Sequence, residues 1–244
     1  MKISEVSAKT ILDSRKEKTI LVSIKTNVGE FSASAPNGKS TGKYEAKSYN
    51  KNLDGDVKTI KQLGEYFSKE IFEKFDDLKR VEDICENQIG ANSVFAFESA
   101  ILKALASEKK KEVWELINPN GRRFPRLVGN CIGGGKHSKS EKKPNFQEFE
   151  IIPDTKNVGK AFELSKKIKK DVKVIIHRED KKFNEERNDE DAWMTALNEK
   201  EVLDILKKTN VPLGIDIAAS SFYKRKNYNY TNPILKRSLE EQFF

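Results

Sequence analysis

Three acidic residues in the second half of the sequence occur at the edges of β-rich runs. Glu148 lies in FQEFEIIP, Glu190 in NDEDAW and Asp216 in GIDIAAS. Residues at the carboxyl ends of strands converge on one face of an α/β barrel, so we expect these carboxylates to lie close together. Three acids in one place can hold a hard divalent cation such as Mg²⁺ or transfer protons. Solvated surface acids are the alternative, which fits Asp216 least well because a charge within an apolar strand is costly unless it is paired or metal-bound.

A glycine-rich turn, GGGKHSKS (133–140), carries one of the two histidines of the chain, His137. Glycines allow a loop to move or its backbone to approach a ligand closely. The turn therefore predicts either a ligand-binding loop that contains His137 or a plain flexible loop. The other histidine, His177, ends the apolar run VIIH, and we interpret it as a structural residue at the end of a strand.

The stretch APNGKSTGKYEA (35–46) contains GKST at positions 38–41, which is similar to the end of a phosphate-binding P-loop. A P-loop needs a glycine five residues before its Gly-Lys pair. Position 33 is an alanine here. Pro36 also removes one of the backbone N–H groups that such a loop would use. These two features argue against a P-loop, so the stretch needs another explanation.

The composition narrows the class of protein. Charged residues make up 34% of the 244 residues and apolar residues 36%, with a net charge of +8. A positive charge suits an acidic partner or an anionic substrate. The 46 bases are interspersed with 38 acids, however, which favours a lysine-rich solvated surface and argues against nucleic-acid binding. Two separated cysteines and two histidines argue against a zinc or disulfide framework and fit a reducing cytoplasm. The sequence has no long apolar run, so we expect no membrane span and no secretion signal.

The first half of the chain alternates strand and helix patterns. The runs 19–26 and 30–35 predict an antiparallel hairpin around a turn at 27–29. Apolar residues at helical spacing predict helices over 56–79 and 91–110, the second capped by Asn92. The segment NPNGRRFP (118–125) is rich in Asn, Pro and Gly and predicts a domain boundary.

The second half predicts strands and helices in turn, which is typical of an α/β layer or barrel with crossover helices. The predicted strands cover 126–132, 146–152, 172–177 and 212–219, and the predicted helices cover 158–170 and 199–208. Ser238 and Glu241 have capping-box spacing and predict the start of a last helix. Because so short a helix is marginal by itself, we expect either a frayed tail or further architecture on another polypeptide.

Taken together, the motifs resemble those of enolase, phosphopyruvate hydratase, over nearly the whole chain. ILDSR (11–15), the 35–46 stretch and IGANSVFAFESAILKALA (89–106) resemble amino-terminal motifs of the family, and GGGKH, FQEFEIIP, NDEDAW and GIDIAASSFY resemble its later motifs in the same order. The resemblance implies an α/β protein with an α+β amino-terminal domain (1–122) followed by the first, incomplete part of an enolase-type TIM-like barrel (123–244).

The resemblance also implies the Mg²⁺-dependent dehydration of 2-phosphoglycerate to phosphoenolpyruvate. By this resemblance, Glu190 is the general acid for the departing hydroxide, and Glu148 supports it. Gln147 would contact the substrate, and His137 would close over it. Asp216 would bind the tighter Mg²⁺.

The 35–46 stretch is explained by the same resemblance. It is similar to a mobile lid loop of the family, in which Ser40 would help to hold a second Mg²⁺ and Gly38 would contact the substrate. The stretch would therefore meet a phosphate-bearing ligand without forming a P-loop.

Several departures from the family pattern change the expectation for this chain. Enolases continue well beyond residue 244, and the missing part holds the catalytic lysine and two further acidic metal ligands. We therefore expect the chain alone to be inactive and a separate polypeptide to supply the rest of the barrel. An ordinary enolase recorded only in part is a second interpretation, and a non-catalytic binding or scaffold protein for an acidic protein or RNA is a third. The sequence leaves a higher oligomer open.

Two departures lie within the site motifs themselves. Gly133 stands where the family has asparagine, and NDEDAW stands where the family has Gly-Asp-Glu-Gly. Asp191 therefore replaces a glycine next to Glu190. We expect its carboxylate to raise the pKa of the neighbouring acid by like-charge repulsion.

Overall fold

The structure is a computed structural model that describes residues 1–38 and 41–243. The chain forms two compact units, Met1–Arg122 and Arg123–Phe244. The division falls within the NPNGRRFP segment. In the described part of the chain, no helix is both long and apolar enough to cross a membrane.

The first unit contains a three-stranded antiparallel sheet in the order β1-β2-β3. The strands are β1 (Ile3–Leu12), β2 (Lys18–Thr26) and β3 (Gly29–Ala35). Alternate residues of β2, Ile20, Val22 and Ile24, are fully buried, as expected for a strand with one face on the core. The predicted hairpin is present as β2 and β3, whereas β1 was not predicted.

Four helices complete the first unit: α1 (Leu53–Phe67), α2 (Lys79–Cys85), α3 (Ala91–Lys109) and α4 (Val113–Ile117). The predicted helix over 56–79 is wrong beyond Phe67, because Ile71 pairs with Lys2 in an isolated β-bridge and a short 3₁₀ turn follows. The predicted helix over 91–110 is confirmed as α3. Asn92 is not its cap, since Gly90 occupies that position.

The second unit is built on a four-stranded sheet in the order β6-β4-β5-β7. These strands are β4 (Gly129–Gly133), β5 (Glu148–Ile151), β6 (Trp193–Met194) and β7 (Leu213–Asp216). Strand β5 runs antiparallel to both of its neighbours, while β4 and β6 are parallel. The crossover helix expected between successive strands is therefore absent between β4 and β5, which pair as antiparallel neighbours.

The helices of the second unit are α5 (Val158–Glu179) and α6 (Glu199–Lys207). The predicted strand over 172–177 is wrong, because this run forms the last turns of α5. Its β-branched residues suggested a strand, but Ile168, Val172 and Ile176 recur every four residues and are buried as one helical stripe. His177 consequently lies on an exposed helix face, where its Nε2 is 2.7 Å from Glu185 Oε1.

The end of the chain forms a separate antiparallel sheet that was not predicted, with the order β10-β9-β8. It consists of β8 (Tyr223–Lys224), β9 (Asn227–Thr231) and β10 (Ile234–Ser238), followed by α7 (Leu239–Phe243). The capping box predicted from the sequence is confirmed: Ser238 N donates to Glu241 Oε2 at 2.7 Å, and Glu241 N donates to Ser238 Oγ at 3.2 Å.

Candidate functional site: an acid–histidine cluster

Strands β5 and β7 bring two of the predicted acids, Glu148 and Asp216, next to each other. In the sheet register Glu148 lies opposite Gly133 of β4 on one side and opposite Asp216 of β7 on the other. Gln147 strengthens this junction, since its Nε2 donates to Asp216 Oδ2 at 3.0 Å. Glu148 lies at the amino end of its strand. The predicted convergence at carboxyl ends is therefore wrong for Glu148, which arrives at the same edge because β5 runs antiparallel.

The glycine-rich turn places His137 in this cluster. Gly134 N donates to Gln147 O at 2.9 Å and Gly135 N donates to Pro144 O at 2.8 Å, which fixes the turn against the start of β5. A Cβ atom on Gly134 would lie 2.6 Å from Pro144 O, so the turn needs glycine at that position. The His137 side chain is only 3% exposed. The structure therefore presents a buried histidine in place of a plain flexible loop.

His137 faces both glutamates. Its Nδ1 lies 3.2 Å from Glu190 Oε2 and 3.5 Å from Glu148 Oε1. Despite this proximity, neither ring nitrogen has a hydrogen-bond partner among the described residues. Asp216 is not a member of the compact three-residue group formed by His137, Glu148 and Glu190.

The electrostatics of the cluster favour a retained proton. Burial raises the pKa of Glu148, a hydrogen bond with Glu190 and the charges of Glu190 and Asp216 raise it further, and the result is a pKa of about 7. The pKa of Glu150 is also raised, by burial first and then by the charges of Asp216 and Glu190. The Glu148 carboxyl group can therefore hold or release a proton near pH 7.

Two asparagines that were not predicted as site residues orient Glu190. Asn188 Oδ1 accepts hydrogen bonds from Glu190 N and Ala192 N, both at 2.9 Å. Asn130 Nδ2 donates to Glu190 Oε2 at 3.2 Å. The available sequence signal was Asn188 itself, because an asparagine side chain often accepts a hydrogen bond from the backbone N–H two residues on and so forms a turn.

Asn188 also explains the departure at Gly133. A Cβ atom on Gly133 would collide with Asn188 Nδ2 and lie 3.3 Å from its Cγ. Gly133 therefore leaves the space that the Asn188 side chain occupies, so these two residues of the chain fit each other sterically.

Two cations bind the carboxylate of Asp191. Its carboxylate accepts hydrogen bonds from Lys169 Nζ and Arg187 Nη1. Burial acts to raise the pKa of Asp191, but the hydrogen bond and charge of Lys169 and the charge of Arg187 outweigh it and the pKa is lowered. The expectation that Asp191 acts on the adjacent acid as a free like charge is therefore not supported. Its φ of 63° lies in the left-handed region that favours glycine, the residue it replaces.

The same cations surround a tryptophan. Lys169, Lys173 and Arg187 lie over the Trp193 ring at 5.7, 6.0 and 5.6 Å from its centroid. Trp193 Nε1 donates to Lys169 O at 2.9 Å. The loop that carries Glu190 is thus joined to α5 through Asp191, and the strand that follows, β6, is joined to α5 through Trp193.

The remaining predicted site residues belong to the first unit. Gly38 is exposed in an irregular segment after β3, while Ser40 lies outside the described residues. A P-loop continues directly into a helix. No helix occurs in 41–52, and α1 begins only at Leu53. This agrees with the argument against a P-loop.

Comparison with known proteins gives matches along almost the whole chain. The family model "Enolase, N-terminal domain" matches residues 3–117, and "Enolase, C-terminal TIM barrel domain" matches residues 123–241.

Individual relatives give the same result. An enolase of Methanosphaera stadtmanae is 29% identical over 98% of this chain and 63% of its own length. An enolase of Ehrlichia ruminantium is 29% identical over 95% of this chain and 61% of its own length, and one of Methanocorpusculum labreanum is 31% identical over 98% and 63%. The chain thus spans just over 60% of the length of these curated relatives.

Proposed function

Because this chain belongs to the enolase family, we propose that it contributes to the Mg²⁺-dependent dehydration of 2-phosphoglycerate to phosphoenolpyruvate. The observation that carries the proposal is the Glu148–Glu190 pair beside His137, in which the pKa of Glu148 is about 7. Loss of hydroxide from a sugar-acid phosphate requires a proton donor, and an acid that keeps its proton near neutral pH can provide it.

Each residue of the cluster has a distinct role in this proposal. Glu190 is the more exposed of the two glutamates and would deliver the proton to the departing hydroxide. Glu148 would share and return that proton, since it is hydrogen-bonded to Glu190. His137 would cover the substrate, because its ring is held over both carboxyl groups by the glycine-rich turn. Asn130 and Asn188 would hold Glu190 in position.

Asp216 is suited to supply an oxygen ligand to one magnesium ion. Its carboxylate is exposed and accepts hydrogen bonds from Ala218 N at 2.9 Å and Gln147 Nε2 at 3.0 Å, which orient both oxygens. Oxygen ligands are those that Mg²⁺ prefers, although one carboxylate is fewer than a protein site usually supplies. When bound, the ion would stabilise the negative charge that develops on the substrate carboxylate.

We further propose that the catalytic lysine and the other acidic ligands come from a separate polypeptide. This proposal is supported by the unpaired edge of the sheet at β7, the strand that carries Asp216. Among the described strands, β7 pairs only with β5. Ile215 and Ile217, which flank Asp216 in sequence, are 41% and 42% exposed. An edge strand with exposed apolar side chains is suited to pairing with a further strand.

Native mass spectrometry of the complex purified from its own cells, with identification of its members, tests this proposal first. We expect a stoichiometric companion whose sequence matches the rest of the barrel model. Mixing the two purified chains with Mg²⁺ should then convert 2-phosphoglycerate to phosphoenolpyruvate, and neither chain should do so alone.

A matched pair of variants links the activity to the cluster. Glu190→Gln should lower the turnover of the mixture by about 100-fold or more, which is the usual contribution of a general acid. Glu163→Gln, on the exposed face of α5, should leave turnover unchanged. Full activity of Glu190→Gln, or turnover by this chain alone, would contradict the proposal.

A non-catalytic binding protein is the second candidate, and the charge of α5 favours it. This helix carries six lysines and one arginine against three acids. A basic helix of this kind could bind an acidic protein or RNA through contacts that weaken with salt. Salt-sensitive association of the chain with RNA or an acidic protein, together with an inactive complex, would favour this candidate.

A further inference from the structure

We propose that a basic cavity of the second unit binds a multiply charged anion of the kind that a small phosphorylated compound presents. The cavity lies between the glycine-rich turn, residues 143–145 and the terminal sheet β8–β10, and its volume is about 350 Å³. His137, Glu148 and Glu190 do not line it, so it is separate from the acid–histidine cluster. The inference concerns binding alone and goes beyond the proposed function.

The charged residues that line the cavity are all cations. Lys136, Lys143 and Lys224 line it, and no acidic residue of the described chain does. Other cavities of the described residues have carboxylates in their walls, such as Asp180 in one and Glu98 in another. Neither Lys136 nor Lys224 forms an ion pair within the described ranges 1–38 and 41–243. A group of cations without a counter-charge attracts an anion.

One carboxylate contacts the wall of the cavity from behind. Glu199 Oε1 accepts hydrogen bonds from Asn145 N and Nδ2, but Glu199 does not line the cavity. It lies in the first turn of α6, where the helix dipole stabilises a negative charge. The charge of Glu199 is therefore compensated by these local contacts, and the three lysines remain available to a ligand.

Hydrogen bonds fix the walls of the cavity. Asn145 is 7% exposed, and its Oδ1 accepts hydrogen bonds from Thr231 N at 3.0 Å and Thr231 Oγ1 at 2.9 Å. This contact connects the segment before β5 to the terminal sheet. Lys143 Nζ donates to Ser138 O at 2.6 Å, which holds that ammonium group beside the turn. The cavity is therefore preorganised, which lowers the entropic cost of binding a ligand.

The residue types select the class of anion. Lysine binds phosphate as a compact point charge, whereas arginine is the residue that pairs with carboxylates in bidentate geometry. Three lysines and no arginine line the cavity. Phe222 and Pro144 form an apolar part of the wall, which suits the carbon portion of a ligand. A volume of about 350 Å³ lies toward the small end for ligand pockets, so we expect a small phosphorylated compound.

A bound anion would connect two segments of the second unit. Lys136 belongs to the glycine-rich turn that carries His137, and Lys224 belongs to β8 of the terminal sheet. An anion held by both lysines would restrain the turn against the sheet. Because it binds only the folded chain, it should also raise the midpoint of thermal unfolding.

Binding of inorganic pyrophosphate to the full chain tests the inference, measured by titration calorimetry at pH 7.5 in about 0.1 M salt without divalent cations. We expect one equivalent to bind, with a dissociation constant of about 1 mM or lower. Lys136→Gln and Lys224→Gln should each weaken binding about tenfold, because each removes a charged hydrogen-bond donor.

The chain contains a matched control in Lys139, which is exposed in the same turn segment but does not line the cavity. Lys139→Gln removes the same charge and should leave the affinity for pyrophosphate unchanged. Citrate, a polyanion without phosphoryl groups, should bind more weakly than pyrophosphate.

Three results would each contradict the inference: no stoichiometric binding of pyrophosphate, equal weakening by Lys139→Gln and Lys136→Gln, or citrate binding as tight as that of pyrophosphate. Because the readout is binding without turnover, and the variants lie outside the acid–histidine cluster, the result is independent of whether the chain takes part in catalysis.

Discussion

Asp56 in the first unit and Glu148 in the second are both carboxylates withdrawn from solvent, but their surroundings are opposite. Asp56 is 1% exposed and accepts hydrogen bonds from Asn50 N at 3.2 Å, Gly90 N at 2.7 Å and Ser93 Oγ at 2.6 Å. Glu148 faces Glu190, Asp216 and an imidazole without a hydrogen-bond partner.

The difference separates a structural carboxylate from a reactive one. The hydrogen-bond donors around Asp56 connect the start of α1 to the start of α3, and both of its carboxylate oxygens accept hydrogen bonds from them. Around Glu148 the neighbouring carboxylates repel its negative charge, and a bound proton or cation would reduce that repulsion. Buried acids surrounded by donors stabilise a fold, whereas buried acids surrounded by acids are available for chemistry.

The largest effect is expected from Asp56→Asn. The amide would place N–H groups against at least one of the three donors, so we expect a loss of about 3 kcal/mol in the free energy of unfolding. Urea denaturation measures this loss. Asp54→Asn, in the same helical turn but exposed, is the control and should change the value by less than about 1 kcal/mol. Equal losses in the two variants would remove the distinction drawn for Asp56.

A smaller loss is expected from Gly133→Asn in the second unit. The new side chain would displace Asn188 and break the two hydrogen bonds that hold the Glu190 loop, at a cost of about 2 kcal/mol. Adding Asn188→Gly should recover at least about 1 kcal/mol relative to the sum of the single variants. Additive effects in this double-mutant cycle, measured by urea denaturation, would mean that the two residues do not depend on each other sterically.

Glu148→Gln should have the opposite sign from Asp56→Asn at alkaline pH. The pKa of Glu148 in the folded chain, about 7, lies above the ordinary value of 4.5, so its ionisation destabilises the fold. This cost is absent below pH 4.5, grows between pH 4.5 and 7 and is complete above pH 7. At pH 8 the variant should be more stable by up to about 1 kcal/mol after allowance for solvent screening, with no difference at pH 4.

Thermal unfolding of the wild type and Glu148→Gln across this pH range measures the effect. A gap that widens toward acid pH would show that the carboxylate is stabilised by its surroundings, as Asp56 is. Glu163→Gln serves again as the exposed control.

The smallest effect is expected from Asp191→Gly. Glycine adopts the left-handed φ of 63° without strain, which offsets the loss of the ion pairs with Lys169 and Arg187. We expect a net change within about 0.5 kcal/mol in the free energy of unfolding. A loss well above that value would mean that the cations, rather than the backbone, hold the Glu190 loop in place.

The residues of the site were predictable, but their arrangement was not. Glu148, Glu190, Asp216, Gln147 and His137 occur in recognisable motifs, and all five belong to the second unit. The antiparallel direction of β5 leaves no trace in a four-residue strand, so Glu148 was expected at the wrong end of it. The roles of Asn130 and Asn188 depend on tertiary contacts that no local pattern contains.

The errors in the fold have physical causes of the same kind. Residues 172–177 have strand-forming side chains, but burial every fourth residue outweighs that preference and extends α5. Beyond Phe67 the apolar spacing continues although the helix does not, because Ile71 pairs with the start of the chain. The hairpin, α3, α6 and the final capping box were correctly predicted because each has a local signal.

The distribution of tryptophan gives the molecule a built-in reporter for each unit. Trp114 in α4 is 51% exposed in the first unit, whereas Trp193 is 9% exposed beneath three cations in the second. The chain contains two tryptophans. During denaturation, the fluorescence of Trp114→Phe therefore follows the second unit, and that of Trp193→Phe follows the first. Comparing the two variants shows whether one unit keeps its fold after the other has unfolded.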